Sequence, residues 1–250
     1  MSRLTVIINC LDQSHISQEL LRILSLQTIY FDLHILESKT CPSRLSQLQK
    51  WKGDDFVFLD QDVVLQSADS LKQIQTHLNK MTQPCLLTGL YLSSLNFSYL
   101  QKSYNWLTNI WILLDSNTVG SMKSLQNAAG GIWAVKKSNF EYLASWQEPD
   151  QWGGEDTRTI RFLKEKGALI LQHSDLDVYH MSSPKLWIFL KRAFKQGQAR
   201  QKWSLKSRGQ SSLLKSQHAL WNSYLPAWLA HSILVILGAL TEKLKSRLMT

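Results

Sequence analysis

Two hydrophobic rhythms alternate along the first two thirds of the chain. Short apolar runs at residues 4–9, 33–36, 56–59, 85–91, 132–135 and 168–172 have the length and residue types of strands. Between them, apolar residues recur at helical spacing, which predicts helices over 16–27, 43–51 and 67–81 and another starting within 138–143. In the 67–81 segment the buried stripe is Leu71, Ile74 and Leu78. Residues 99–114, with Trp106 and Trp111, fit either one helix or a pair of elements. The run at 56–59, Phe-Val-Phe-Leu, lacks polar alternation, as expected of a strand covered on both faces. Strands alternating with helices predict an α/β fold: a mostly parallel sheet flanked by helices.

The pattern changes after residue 184. Residues 185–250 hold 12 of the 28 Lys and Arg residues but only 1 of the 19 acidic ones, so the formal charge of +9 belongs to this tail. The division expected is a catalytic-type domain over 1–184 and a basic, amphipathic helical tail over 185–250. Lys191, Arg192, Lys195, Arg200, Lys202, Lys206, Arg208 and Lys215 interleave with Trp187, Phe189, Phe194 and Trp203. That pattern suits an anionic membrane surface or nucleic acid; the plainer reading is a solvated helix face with one or two cations directed at a ligand's phosphates. The following segment, 225–240, is shorter than the roughly 20 apolar residues a spanning helix needs, and it contains Pro226, His231 and Ser232. Leu229, Ile233, Ile236, Leu237, Leu240 and Leu244 recur at helical spacing, with Lys243, Lys245 and Arg247 closing the segment. An interfacial helix in the membrane plane ranks ahead of a core-packing helix and a short span. Nucleic acid is set aside because it leaves the apolar segment unexplained.

Cys10, Cys41 and Cys85 have no metal-ligand spacing, and Cys10 in its apolar strand reads as a buried free thiol. The first nine residues have too short an apolar core for a signal peptide and read as a strand. A cytoplasmic location at the inner face of the membrane is the expectation.

Two acidic motifs carry the candidate chemistry. Asp60-Gln61-Asp62 closes the buried strand at its carboxyl end, where ligands bind in open α/β sheets, and paired aspartates suit a hard divalent cation. An ordinary acidic loop is the alternative. In Trp152-Gly153-Gly154-Glu155-Asp156, the glycines permit close approach of a ligand, the indole offers a flat apolar face, and the carboxylates can hold and deprotonate a hydroxyl. Here the alternative is an acidic helix start. Gly130-Gly131 before the strand at 132–135, and His180 after the strand at 168–172, complete the set. Each has a plain reading too: a turn for the glycines, a surface or satisfied core residue for the histidine. His34, His173 and His231 have no such context.

The order of these pieces resembles the inverting nucleotide-sugar glycosyltransferases of family 2, with the GT-A fold, over roughly residues 3–200. The Trp-Gly-Gly-Glu-Asp form looks like the related beta-galactosyltransferase group. The chain departs from the family where the nucleotide base is held: Asn9-Cys10-Leu11-Asp12-Gln13 replaces a Pro-x-Tyr-Asn-like segment, and Leu36-Glu37-Ser38-Lys39 replaces paired aspartates. The resemblance implies a metal-dependent hexosyltransferase that moves a sugar from a nucleotide-diphosphate donor, a UDP-sugar above others, to a glycan or lipid-linked glycan. It implies Mn2+ or Mg2+ on Asp62 and His180, and donor contacts from Glu37, Asp60, Gly130 and Gly131. Acceptor contacts fall to Trp152, Gly153, Gly154 and Glu155, and Asp156 is the catalytic base. A catalytically inactive carbohydrate- or membrane-binding protein on the same fold is the competing expectation.

Overall fold

The computed structural model describes residues 3–37, 54–113, 116–138, 155–182, 185–202 and 218–248. The expected helix at 43–51 and most of the one starting at 138–143 lie outside them, as do Cys41 and residues 151–154.

Strand β1 (Leu4–Cys10) is the hub of the amino-terminal half, pairing in parallel with β2 (Phe31–Glu37) on one side and β3 (Asp55–Asp60) on the other. Phe56, Val57, Phe58 and Leu59 are fully buried, as their unbroken apolar run requires of a strand covered on both faces. The sheet continues through β9 (Ile132–Lys136), β5 (Cys85–Thr88), β10 (Leu169–Gln172), β8 (Met122–Ser124) and β7 (Asn117–Val119). Strand β9 runs antiparallel between β3 and β5. Because β5 is antiparallel to β9 and β10 is parallel to β5, strands β1, β2, β3, β5 and β10 all end at one edge, and β9 begins there. That shared edge is where the candidate site forms.

The cover is helical, as expected. α1 (Gln18–Ser25), capped by the Ser17 side chain, buries Leu20, Ile23 and Leu24. α2 (Ser70–Lys80) buries the stripe of Leu71, Ile74 and Leu78 that its spacing predicts. α4 (Glu155–Glu165) buries Ile160 and Leu163 and packs near β10. Residues 99–114 resolve into one helix, α3 (Tyr99–Leu113). Cys10 and Cys85 are buried free thiols; burial pushes the Cys85 thiol up to about 12, so it stays protonated.

The apolar run at 85–91 divides between two sheets. β5 stops at Thr88, and β6 (Tyr91–Leu92) joins β4 (Val63–Leu65) and β11 (Val178–His180) in a small second sheet of order β4-β11-β6. Gly89 permits the break, since a Cβ there would lie 1.8 Å from the Leu176 carbonyl oxygen.

α5 (Leu186–Lys202) and α6 (His218–Leu248) form a helical hairpin. It joins the α/β body through α3, where the Tyr224 ring packs 5.8 Å from Tyr99 and 5.4 Å from Trp106. Among the described residues, no helix is long and apolar enough to cross a membrane.

Candidate functional site

Strand register sets the first residues of the site. Asn9 of β1 lies opposite both Leu36 of β2 and Asp60 of β3, and Leu59 lies opposite Ile132, so Glu37, Asp60 and the Gly130-Gly131 pair share one sheet edge. Asp60 N–H donates to the Gly131 carbonyl at 3.1 Å, tying the acidic triplet to the glycine pair. Gln61 stitches the triplet to the loop after β1: its N–H donates to the Asn9 carbonyl at 3.1 Å, and its Oε1 accepts from Leu11 N–H at 2.9 Å. Glu37 is exposed, and its Oε1 accepts from Gln13 N–H at 3.3 Å.

The small sheet brings His180 to Asp62. β4 follows the acidic triplet directly, and its antiparallel pairing places Val63 opposite His180. Met181 N–H donates to the Asp62 carbonyl at 2.7 Å, closing the register. The His180 ring is buried, with Tyr91 stacked on it at 4.4 Å and Tyr104 at 5.5 Å between centroids.

Asn105 orients that imidazole. Its Nδ2 donates to the Leu92 carbonyl at 3.1 Å, which turns its Oδ1 toward His180 Nδ1 at 3.0 Å. An acceptor at Nδ1 places a proton there and leaves Nε2 as the ring nitrogen directed at Asp62. That Nε2 lies 3.5 Å from Asp62 Oδ2. The ring nitrogen and the carboxylate oxygen therefore face each other across a gap longer than a normal hydrogen bond. Burial pushes the Asp62 carboxyl up, but the His180 side chain and, further off, Arg192 outweigh it and hold it below its ordinary range.

The helix at Asp156 reaches the same edge. Asp156, near the start of α4, accepts from Gly130 N–H through Oδ2 at 2.9 Å. Burial first, then the charges of Asp60, Tyr104, Asp156 and Asp62, raise the Tyr91 hydroxyl far above its ordinary pKa. Gly131 makes room for it: a Cβ there would lie 2.4 Å from Tyr91 Cε1. Burial also raises the Tyr104 hydroxyl, opposed by the Arg192 guanidinium, which lies 5.6 Å from the Tyr104 ring centre. One cation of the basic tail thus reaches the site.

The structure brings together Asp60, Asp62, Asp156, His180, Gly130 and Gly131, with Glu37 further along the edge on β2. Trp152, Gly153 and Gly154 lie outside the described residues, and Glu155 is described only as the backbone start of α4. Sequence reasoning missed Tyr91, Tyr104 and Asn105. A signal existed for the last: Gln101, Asn105 and Asn109 recur every fourth residue on α3, a polar stripe along one face of the helix. All three work on this region. Gln101 Nε2 donates to the His180 carbonyl at 3.2 Å, while Asn109 holds the Tyr91 backbone at both N–H and C=O, each at 2.8 Å.

The donor set fits a hard divalent cation: one carboxylate, one imidazole and an edge open for phosphate or water oxygens. The orientation of His180 by Asn105 is the outer-shell hydrogen bond that a metal-bound histidine needs. At the carboxyl end of β1, on the same edge, both polar atoms of the Asn9 side chain are buried without a hydrogen-bond partner.

No protein-family model matches the sequence, and comparison with curated proteins gives no match. Solved structures do match. The mannosyltransferase PcManGT from Pyrobaculum calidifontis, in complex with GDP-Man and Mn2+, superposes with a TM-score of 0.56 at 14% identity, over 95% of this chain and 73% of that one. Glucosyl-3-phosphoglycerate synthase from Mycobacterium tuberculosis, in complex with Mg2+ and uridine diphosphate, gives 0.50 at 12% identity over 83% and 82%. The fold is that of the GT-A glycosyltransferases: a large central sheet flanked by helices.

Proposed function

We propose that this chain is a divalent-cation-dependent, inverting nucleotide-sugar glycosyltransferase of family 2 type, a hexosyltransferase acting on a hydroxyl of a glycan or lipid-linked glycan at a membrane surface. The observation that carries the reading is the pair of facing ligand atoms, Asp62 Oδ2 and His180 Nε2 at 3.5 Å, with the His180 ring oriented by Asn105. The GT-A fold of structures bound to GDP-Man and Mn2+, or to UDP and Mg2+, supports a nucleotide-sugar donor of the same class.

In this reading Asp62 and His180 hold Mn2+ or Mg2+. The bound ion supplies charge neutralisation to the departing diphosphate. Arg192 adds a second positive charge on that side, and Asp60 orients the nucleotide or its ribose. The unpartnered Asn9 amide and the Glu37 carboxylate lie along β1 and β2, where the nucleoside extends. Asp156 takes the proton of the acceptor hydroxyl while that oxygen bonds to the anomeric carbon. The bond from the anomeric carbon to the diphosphate breaks in the same displacement, so configuration inverts and the nucleoside diphosphate leaves. Trp152, Gly153, Gly154 and Glu155 form the acceptor side.

The test is a nucleotide-sugar panel with Mn2+, with Mg2+ and with chelator, binding and turnover measured separately. At least one sugar nucleotide should bind only with metal, and Asp62→Asn or His180→Ala should weaken that binding. Asp156→Asn should lower turnover by roughly 10²-fold or more with donor affinity retained. Metal-dependent binding without turnover, with any acceptor, would instead identify an inactive binding protein on the same fold.

A further inference from the structure

A second cluster of metal-ligating side chains lies away from the acidic triplet. His77 sits in the last turn of α2, and His173 and Asp175 lie in the turn that follows β10. His77 Nε2 is 2.8 Å from Asp175 Oδ2, His173 Nδ1 is 3.5 Å from the same oxygen, and the imidazole centres are 4.1 Å apart. The three ligand atoms lie within 4.8 Å of one another. Ligands on a tetrahedral ion bound at about 2.0–2.1 Å stand roughly 3.3 Å apart, so a small opening of the His77–Asp175 contact admits one. The histidine side chains are 12% and 15% exposed and Asp175 is 35% exposed, which leaves the carboxylate side open for a water ligand.

Two cations argue about which ion. Lys72 and Lys80 of α2 line the same depression, so a purely ionic oxygen site for Mg2+ or Ca2+ is disfavoured there. Imidazole nitrogens favour zinc-like ions over those hard cations. His173 Nδ1 now accepts only a 3.2 Å contact from Asp175 N–H, weak enough for an ion to replace.

We propose that His77, His173 and Asp175 form a zinc-type site, with water as the fourth ligand, distinct from the donor-metal pair Asp62 and His180. An ion there joins the end of α2 to the β10–β11 connection. That connection is already anchored by Asp177 Oδ1, which accepts from Leu90 N–H at 2.7 Å and Gln172 Nε2 at 3.0 Å, and it leads directly into His180. The site is structural: it fixes the segment that carries a ligand of the other site.

The test uses the full chain carrying Asp62→Asn, so that the donor-metal pair is disabled, and titrates it with Zn2+ by calorimetry. One equivalent should bind. Adding His77→Ala or His173→Ala should weaken Zn2+ by more than about 100-fold, beyond the 10–100-fold typical of losing an outer-shell partner. Zinc X-ray absorption on the singly loaded Asp62→Asn protein gives a readout that does not depend on how the histidine variants fold, and it should show two imidazoles. A zinc environment with fewer than two imidazoles, or Zn2+ affinity unchanged in folded His77→Ala and His173→Ala, overturns the proposal.

Discussion

A methyl group at Gly131 would lie 2.4 Å from the Tyr91 ring, and that ring cannot simply turn away, because it is buried and stacked on His180. Gly131→Ala should therefore cost about 1–3 kcal/mol by overpacking and also disturb His180. The expected result is a lower midpoint in denaturant together with weaker metal-dependent nucleotide binding. Stability loss with unaltered metal binding would detach Tyr91 from the site. Asp62 makes a second residue-level prediction, through pH. Its folded pKa is depressed, so its stabilising contribution is present above the ordinary carboxylate value of about 3.9 and is lost as pH falls through the lower folded value. In metal-free buffer, Asp62→Asn should flatten that part of the acid limb in denaturation curves measured across pH. The residues legible beforehand were those with chemistry visible in one dimension: paired aspartates, a glycine pair, a histidine after a strand. Tyr91 and Tyr104 were not, because their roles come from stacking; Asn105 left only a polar stripe on α3, and its role comes from an amide aimed across two elements.

Among elements, those that announce themselves are long or doubly covered. β3 is read from its unbroken apolar run, and α2 from three leucine-type residues on one stripe. The strands of the small sheet are two or three residues each, and the β7–β8 hairpin closes on Gly120 at φ 59°; neither holds a periodicity long enough to detect. The antiparallel course of β9 was equally hidden, since direction depends on pairing, and an apolar run carries no direction. The tail gave its helical spacing but not its partner. Glycine explains the partner: a Cβ on Gly197 of α5 would lie 2.0 Å from the Val235 carbonyl oxygen, and one on Gly238 of α6 would lie 2.1 Å from that of Phe194. The two backbones meet at that crossing, and the only side chain that fits at either position is a hydrogen atom. Gly238→Val should force the helices apart. Hydrogen exchange should speed up across α5 and α6 while the amides of β1 and β3 keep their protection, because the hairpin touches the α/β body chiefly through α3. Uniform loss of protection would make the hairpin part of the central core instead.

At the scale of the molecule, packing divides the surface of that hairpin into two uses. Ala227, Val235 and Gly238 are buried, while Leu229, Ile233, Ile236, Leu237, Leu240 and Leu244 of α6 are each between 45% and 60% exposed. Leu186, Trp187 and Ile188 at the start of α5 are exposed as well, and so are Lys185, Lys191, Arg192 and Lys195. An apolar surface of this size, bordered by ammonium and guanidinium groups, is costly in water and suited to an anionic bilayer, where apolar burial and charge attraction add. The proposed membrane attachment rests on that layout and predicts a two-part dependence. Intact protein should bind vesicles containing phosphatidylserine more tightly than neutral ones, and added salt should remove the difference while leaving a residual affinity, because screening acts on charge and not on burial. Leu229→Glu with Leu237→Glu should remove the residual part. Both side chains are already exposed, so the fold and the binding of nucleotide and metal should persist, which separates attachment from catalysis. Vesicle co-sedimentation in low and high salt, with donor binding measured on the same samples, gives both quantities. Equal sedimentation of the double variant and the wild type would mean that the exposed face of α6 does not meet the lipid.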